Sequence, residues 1–319
     1  MLSRRTPRHT VPHRTAQHRT VRHRTVRHRT VRHRTVLHVA AVAAAAAGFT
    51  LAAGRTALSA QQAPVYQIEM VRFAGYHGFP VSELVRGADT ARRTDLAFII
   101  GVITGNGRTV LLDAGFYRPQ FLAAWKPFGY QRPSVAIARA GVTPGAVTDI
   151  IISHVHWDHL DGADLFPNAR IWIQKAEYEH YVGPGGQPLG EAIDTVDAQM
   201  LARLRQAGRV QLVDGDAREI IPGITVYTGG RHTYASQFAS VRTAKGVVVL
   251  ASDNMYMFEN LDKHAPIGAT FEPVDSVSNL AAQDRMRRIA SKPAFIIPGH
   301  DPQIFVRFPA PGDGVARIE

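Results

Sequence analysis

Residues 150–159 read Ile150-Ile151-Ile152-Ser153-His154-Val155-His156-Trp157-Asp158-His159. An apolar β-branched run of this kind reads as a buried strand, and it leads straight into three imidazoles and a carboxylate. Those side chains cannot all point one way from a single regular element, so a loop at the strand end is expected to carry them. Such a loop aims His154 and His156 at one point, and the adjacent pair Asp158 and His159 at another a few ångströms away, which is what two neighbouring metal ions need. Surface histidines are the bland alternative, but polar groups packed behind a buried strand are costly unless something neutralises them.

Further ligands must come from elsewhere in the chain. It has no cysteine, which excludes disulfides, thiolate metal sites and a cysteine nucleophile, so any metal is held by His, Asp or Glu. His232 follows the apolar run Ile224–Thr228 and the turn Gly229-Gly230; His300 follows Phe295–Pro298 and Gly299. Asp253 ends Val247–Ser252, and Asp113 ends Val110–Leu112. Four predicted strand ends thus deliver one polar residue each, and together they supply what a dinuclear site still lacks. His77, His180 and His264 have no such context and are expected at ordinary surface or satisfied positions.

Around this segment, short β-branched runs alternate with amphipathic windows. Strands are predicted over Tyr66–Phe73, Leu96–Thr104, Thr109–Leu112, Ile150–Ser153, Arg170–Gln174, Ile224–Thr228, Phe238–Arg242, Val247–Ser252 and Phe295–Pro298. Gly105-Asn106-Gly107 is a strong hairpin turn between the second and third. Helices are predicted over Pro119–Phe128, Ser134–Ala140, Lys175–Tyr181, Ile193–Ala207 and Ser276–Ala290, with Ile193, Val196, Met200 and Leu204 forming a core-facing stripe on the fourth. The pattern argues for an α/β fold of layered sheets with helices outside, in one domain over residues 64–319.

The formal charge of +11 suggests a polyanion partner until it is located. Residues 1–60 hold 12 of the 37 basic residues and no acid, leaving 25 basic against 26 acidic residues in the body. No nucleic-acid partner is therefore expected for the body. Residues 1–38 include a period-five repeat, Thr-Val-Arg-His-Arg, from Thr20 to Val36, expected to be disordered and to reflect a start assigned too far upstream. Residues 39–60 carry an alanine-rich apolar run and small residues before Gln61, the pattern of a cleaved secretory signal, so an exported protein without stable membrane insertion is expected. A non-catalytic surface protein working through the Arg/His repeat is the competing reading, and it would leave the downstream ligands idle.

The stretch His-x-His-x-Asp-His at 154–159, with Asp113 before it and His232, Asp253 and His300 after it in that order, resembles the metallo-β-lactamase superfamily over about residues 66–305. The resemblance implies a four-layer αββα sandwich with two divalent ions at one sheet edge. His154, His156 and His232 would hold the first, Asp158, His159 and His300 the second; Asp253 would bridge both, and Asp113 would orient ligand imidazoles. Cysteine-ligated β-lactamases and the flavodiiron pattern, with Glu at position 156, are excluded. The sequence is most similar to the N-acyl-homoserine-lactone lactonases, through Trp157 within the motif, Tyr256 three residues after Asp253, Glu259-Asn260 and Gly299-His300-Asp301. Residues Thr228-Gly229-Gly230-Arg231-His232-Thr233 depart from the proline- and glycine-bearing form usual around that histidine.

The resemblance implies opening of an acyl lactone by a hydroxide bridging the metals, with Tyr256 donating to the carbonyl oxygen and Asp158 passing a proton to the leaving oxygen. Trp157, with Phe73, Tyr76 and Phe79 from the N-terminal part, would line an acyl pocket, although core packing explains the last three equally well. All-N/O ligation suits Zn²⁺, Mn²⁺, Fe²⁺ and Co²⁺, zinc being the default. Another lactone, a carboxylic ester or a phosphodiester is the alternative substrate, and the sequence leaves the oligomeric state open.

Overall fold

The computed structural model describes residues 64–268, 275–308, 310 and 312–318. The basic repeat and apolar run expected within residues 1–60 lie outside the described residues. The strands are β1 (Gln67–Pro80), β2 (Arg93–Gly105), β3 (Arg108–Leu112), β4 (Asp149–Ile151), β5 (Arg170–Gln174), β6 (Val210–Val213), β7 (Arg218–Ile221), β8 (Ile224–Thr228), β9 (Gln237–Thr243), β10 (Gly246–Ser252), β11 (Ile296–Pro298) and β12 (Val315–Arg317). They form a seven-stranded sheet, β12-β1-β2-β3-β4-β5-β6, and a five-stranded sheet, β11-β10-β9-β8-β7. The α-helices are α1 (Pro119–Trp125), α2 (Pro133–Ala136), α3 (Trp157–Leu160), α4 (Lys175–Tyr181), α5 (Thr195–Gln206), α6 (Phe258–Asp262), α7 (Ser276–Ile289) and α8 (Ile304–Arg307).

Side-chain alternation along the strands builds the layers. Ile100, Leu111, Ile150 and Ile171 share one buried cluster with Ala198, Leu201 and Leu204 of α5. Their neighbours Ile99, Val110, Leu112 and Ile151 face the other way, onto Val226, Val241, Val248 and Leu250 of the second sheet. The outer face of that sheet, with Phe238, Val249 and Ile296, covers Met286 of α7. Helix, sheet, sheet and helix follow one another, which is the expected αββα sandwich, and each fully buried Ile, Leu or Val contributes about 1.5–3 kcal/mol to holding it.

The predicted hairpin is present. Gly105 pairs with Arg108, so Asn106-Gly107 forms the turn, with φ of 52° and 72° at its two residues. Two positive φ values make it the primed turn whose twist matches the strands.

Several boundaries differ from expectation. β1 runs past Phe73 to Pro80 through two register shifts. The fourth strand stops at Ile151, two residues short of the predicted Ser153, and the first helix stops at Trp125, where Lys126 turns left-handed at φ 45°. The predicted Ile193–Ala207 helix begins at Thr195 because the Asp194 carboxylate caps it, accepting from the Val196 N–H. Of the predicted stripe, Ile193, Met200 and Leu204 are buried and only Val196 is half-buried, with Asp197 and Leu201 buried beside them. Among the described residues no helix is long and apolar enough to cross a membrane.

Candidate metal centre

The expected loop carries only half of the motif. His154 and His156 lie on the connection after β4, but Asp158 and His159 sit on the single helical turn of α3. The second pair is thus turned away from the first by a change from loop to helix, which keeps all four within six residues.

Two groups of donor atoms result, each within 4.8 Å: His154, His156, His232 and Asp253, and then Asp158, His159 and His300. His154 Nε2, His156 Nδ1 and His232 Nε2 lie 3.0–3.1 Å from one another. Three nitrogens about 2.0–2.1 Å from one ion in tetrahedral array sit only slightly further apart than this. Three mutually facing ring nitrogens cannot all be satisfied by hydrogen bonds among themselves. Asp253 stands between the groups: Oδ2 is 3.4 Å from His232 Nε2, while Oδ1 is 3.0 Å from His300 Nε2 and 3.4 Å from His159 Nε2. Close as they are, His159 Nε2 and Asp253 Oδ1 are buried without a well-aligned hydrogen bond among the described residues. Buried polar atoms are normally paired, so this donor set fits a pair of divalent cations.

The electrostatics divide along the same line. Burial holds His154 well below the usual imidazole range, His156 at about 3 and His232 at about 4, so these three rings are neutral, the form that binds a metal. At His159 and His300 burial works in the same direction, but Asp253 and Asp158 outweigh it and raise both. Asp253 is held well below the carboxylate range by His300 and His159 against its burial, and Asp158 is lowered by the same two rings.

The rings of His159, His300 and His154 are each aimed by the other nitrogen. Asp113 Oδ2 accepts from His159 Nδ1 at 2.8 Å, from Ser153 Oγ at 3.0 Å and from Ser252 Oγ at 2.9 Å, and Oδ1 accepts from the Ser153 N–H. These bonds place Asp113 against His159, the kind of contact by which a carboxylate can orient an imidazole. Asp113 and Ser252 both hold left-handed backbone, φ 62° and 46°, strain found where a side chain must be placed against the backbone's preference. His300 Nδ1 donates to the Ala97 carbonyl at 3.0 Å, and His154 Nδ1 lies 2.8 Å from Ser153 Oγ. Any side chain at Gly299 would strike the Asp253 carboxylate, its Cβ falling 2.6 Å from Oδ1, which explains glycine before His300.

A cavity of about 240 Å³ opens over the two groups. Glu83, His156, Asp158, Asp253, Tyr256 and His300 form its polar lining, and Phe79, Leu84, Leu96, Phe98, Trp125 and Trp157 supply apolar walls. Trp157 lines it as expected, stacked on Phe121 at 5.0 Å and against Trp125 at 5.0 Å. Of the three N-terminal aromatics only Phe79 reaches the cavity; Phe73 is fully buried in the core, and Tyr76 packs behind, on Phe79 and Trp125. Trp125 and Phe98 were not foreseen, since aromatics on a helix and a central strand look like any core residue. The Glu259-Asn260 pair does not line the cavity: Glu259 binds Arg92 through two 2.7 Å bonds, and buried Asn260 donates to the Leu84 carbonyl. His77, His180 and His264 stand apart from both ligand groups, the first stacked on Phe128, the second on Tyr234 and the third paired with Asp284.

Two stacked sheets with helices outside, and a histidine–aspartate cluster at the strand ends, define the class. The metallo-beta-lactamase superfamily model matches residues 99–300, and the chain belongs to that superfamily. It is 30% identical over 168 residues to an N-acyl homoserine lactonase of Bacillus cereus, and 29% identical over 185 residues to the N-acyl homoserine lactonase AttM of Azorhizobium caulinodans. These matches cover 52% and 54% of this chain but only 60% and 65% of the relatives' own lengths. Among solved structures, a quorum-quenching N-acyl homoserine lactone lactonase is similar with a TM-score of 0.61 at 21% identity, over 75% of this chain and 93% of that one. The dizinc quorum-quenching lactonase AidC, in complex with a product, aligns with a TM-score of 0.56 at 15% identity over 81% and 95% of the two chains. The structural matches show the shared fold.

Proposed function

We propose that this chain is a dinuclear metal-dependent hydrolase that opens the lactone ring of N-acyl homoserine lactones. One observation carries the reading: a single carboxylate, Asp253, faces two ligand groups in a cavity whose other walls, Glu83 apart, are mainly aromatic and aliphatic. That combination suits a polar ring bearing an apolar chain. The names and activities of the relatives in Bacillus and Azorhizobium support the same substrate class.

His154, His156 and His232 would hold one ion and Asp158, His159 and His300 the other, with Asp253 shared and zinc the expected metal. Bound there, divalent ions would polarise the ester carbonyl and lower the pKa of water. Tyr256 supplies the oxyanion contact. Burial, then Asp253 and Asp158, push its phenol well above the usual range, so it keeps its proton through neutral pH. Its oxygen lies 3.3 Å from His232 Nδ1 and the residue lines the cavity, so it can take a hydrogen bond from that ring while donating toward an oxygen acquiring negative charge. Asp158 lines the same cavity, 3.6 Å from His300 Nε2, where a carboxyl group can relay a proton to the leaving oxygen.

The test is acid release in a pH-stat from short- and long-chain N-acyl homoserine lactones, with and without chelator. Chelator-sensitive release is expected. Two metals bound with no release would overturn the lactone assignment and direct the search to carboxylic esters and phosphodiesters. Tyr256→Phe is expected to lower kcat about 100-fold, in line with the loss of one oxyanion donor, while both metals stay bound at saturating metal. Unchanged turnover would remove Tyr256 from the mechanism.

A further inference from the structure

The loop that carries His232 lacks the proline-containing surroundings usual in the lactonases it resembles, and something else must fix its shape. Asn254 holds its two ends, Oδ1 accepting from the Gly230 N–H at 2.7 Å and from Ser236 Oγ at 3.0 Å, and α4 holds the residues that follow His232. Glu177 is fully buried on that helix. Its Oε1 accepts from Thr233 Oγ1 at 2.6 Å and from the Val155 N–H at 3.2 Å, and its Oε2 accepts from the Ala235 N–H at 2.6 Å. Val155 stands between His154 and His156, and Thr233 directly follows His232. On the next turn of α4, Tyr181 Oη accepts from the Tyr234 N–H at 3.1 Å, and the His180 ring stacks on Tyr234 at 3.9 Å.

We infer that Glu177 is a positioning residue for the first metal, one buried carboxylate that ties the His154/His156 loop to the His232 loop and sets the spacing of their three ring nitrogens. The two loops belong to different sheets: one follows β4 of the seven-stranded sheet, the other leads from β8 to β9 of the five-stranded sheet. Gln237 also crosses between the sheets, its N–H donating to the Ser153 carbonyl at 2.8 Å and its Nε2 to the Ile152 carbonyl at 2.7 Å, but Glu177 is the tie that holds the residues adjoining His154, His156 and His232 themselves. A carboxylate fits the task because it only accepts, and all three groups facing it are donors. The three donors described, Thr233 Oγ1 and the Val155 and Ala235 N–H groups, lie beside His154, His156 and His232, so the influence of Glu177 is expected on the first ligand group.

The inference rests on the reading of the histidine–aspartate cluster as a metal centre and not on the identity of the substrate. The test is zinc affinity by chelator competition in two backgrounds of the full chain. In His159→Ala, where the intact ligand group is His154, His156 and His232, adding Glu177→Gln is expected to weaken zinc binding about 10–100-fold, as loss of a ligand-orienting partner does. In His156→Ala, where Asp158, His159 and His300 remain, the same addition should change affinity less than twofold. The amide replaces one acceptor by a donor that faces a donor, so the tie is broken at nearly constant volume. Thr233→Val, which removes the 2.6 Å bond alone, should give a smaller loss in the first background only. Equal zinc affinity with and without Glu177→Gln in the first background would overturn the inference. Equal weakening in both backgrounds would also overturn it, since a general loosening of the fold gives that result. A parent chain that binds no zinc would overturn the metal-centre reading itself, a failure distinct from the other two.

Discussion

Asp253→Asn should leave no more than one tightly bound metal per chain, where the parent is expected to hold two, and lower kcat/KM by more than about 100-fold. The geometry sets the stoichiometry. Asp253 presents Oδ2 to His232 and Oδ1 to His300 and His159, so an asparagine keeps an oxygen for one ligand group and turns an NH₂ toward the other. That NH₂ would point at the position a cation should take. The charge matters as well, because Asp253 is the leading influence raising His159 and His300 against the effect of burial. Loss of partners that merely orient a ligand costs about 10–100-fold in affinity or activity, and loss of a shared ligand exceeds that. Elemental analysis after dialysis and the pH-stat assay read the two effects separately. Two metals retained with full activity would mean that Asp253 does not bridge.

The ligand set was legible because it follows a rule of strand ends. His232, Asp253, His300 and Asp113 each come just after an apolar run, and β-sheet topology collects such ends along one edge. Tyr256 was legible only through the resemblance to the lactonases, by its place three residues after Asp253. The α3 turn was not legible. Four residues with a histidine, a tryptophan and an aspartate have no periodicity to read, and the preceding run predicts extension. Short edge strands escaped for the same reason: β6 has four residues, β7 begins with Arg218 and Glu219, and β12 has three residues. Glu177 was hidden differently. Amphipathic patterning assigns a glutamate to solvent, and nothing local shows that two distant loops bring three donors to it. Asp194 was a readable signal left unused, since an aspartate before Thr195 is a helix cap. Asp197 was not readable, because burial of a polar residue on the core side of α5 depends on what lies opposite.

What lies opposite Asp197 is Arg118, and Arg118→Leu should destabilise the fold by about 3–5 kcal/mol, the usual cost of removing one partner from a buried ion pair. Arg118 forms an ion pair with Asp161, and reaches Asp164 at 3.0 Å and Asp197 at 3.3 Å, while Asp161 Oδ2 also accepts the backbone N–H groups of Tyr117 and Arg118 at the start of α1. Removing the guanidinium leaves three carboxyl groups facing one another with no cation. The loss of melting temperature should narrow in acid, where an unpaired carboxylate can take up a proton. Asp197→Asn should do the opposite. Burial, followed by the neighbouring Asp161 carboxylate, pushes Asp197 up to about 9, so the folded chain carries it protonated where the unfolded chain would ionise it. Its contribution to stability is fully present below the unfolded value near 4 and is lost progressively as pH rises toward 9. An asparagine imitates the protonated acid and cannot ionise, so its melting temperature should exceed the parent's by a margin that grows from pH 5 to pH 9. A margin independent of pH would show that Asp197 is already ionised in the folded chain. Because α1 starts at this cluster and ends at Trp125 in the cavity wall, Arg118→Leu should also raise KM for long-chain substrates more than for short ones, whereas Asp197→Asn should leave both unchanged.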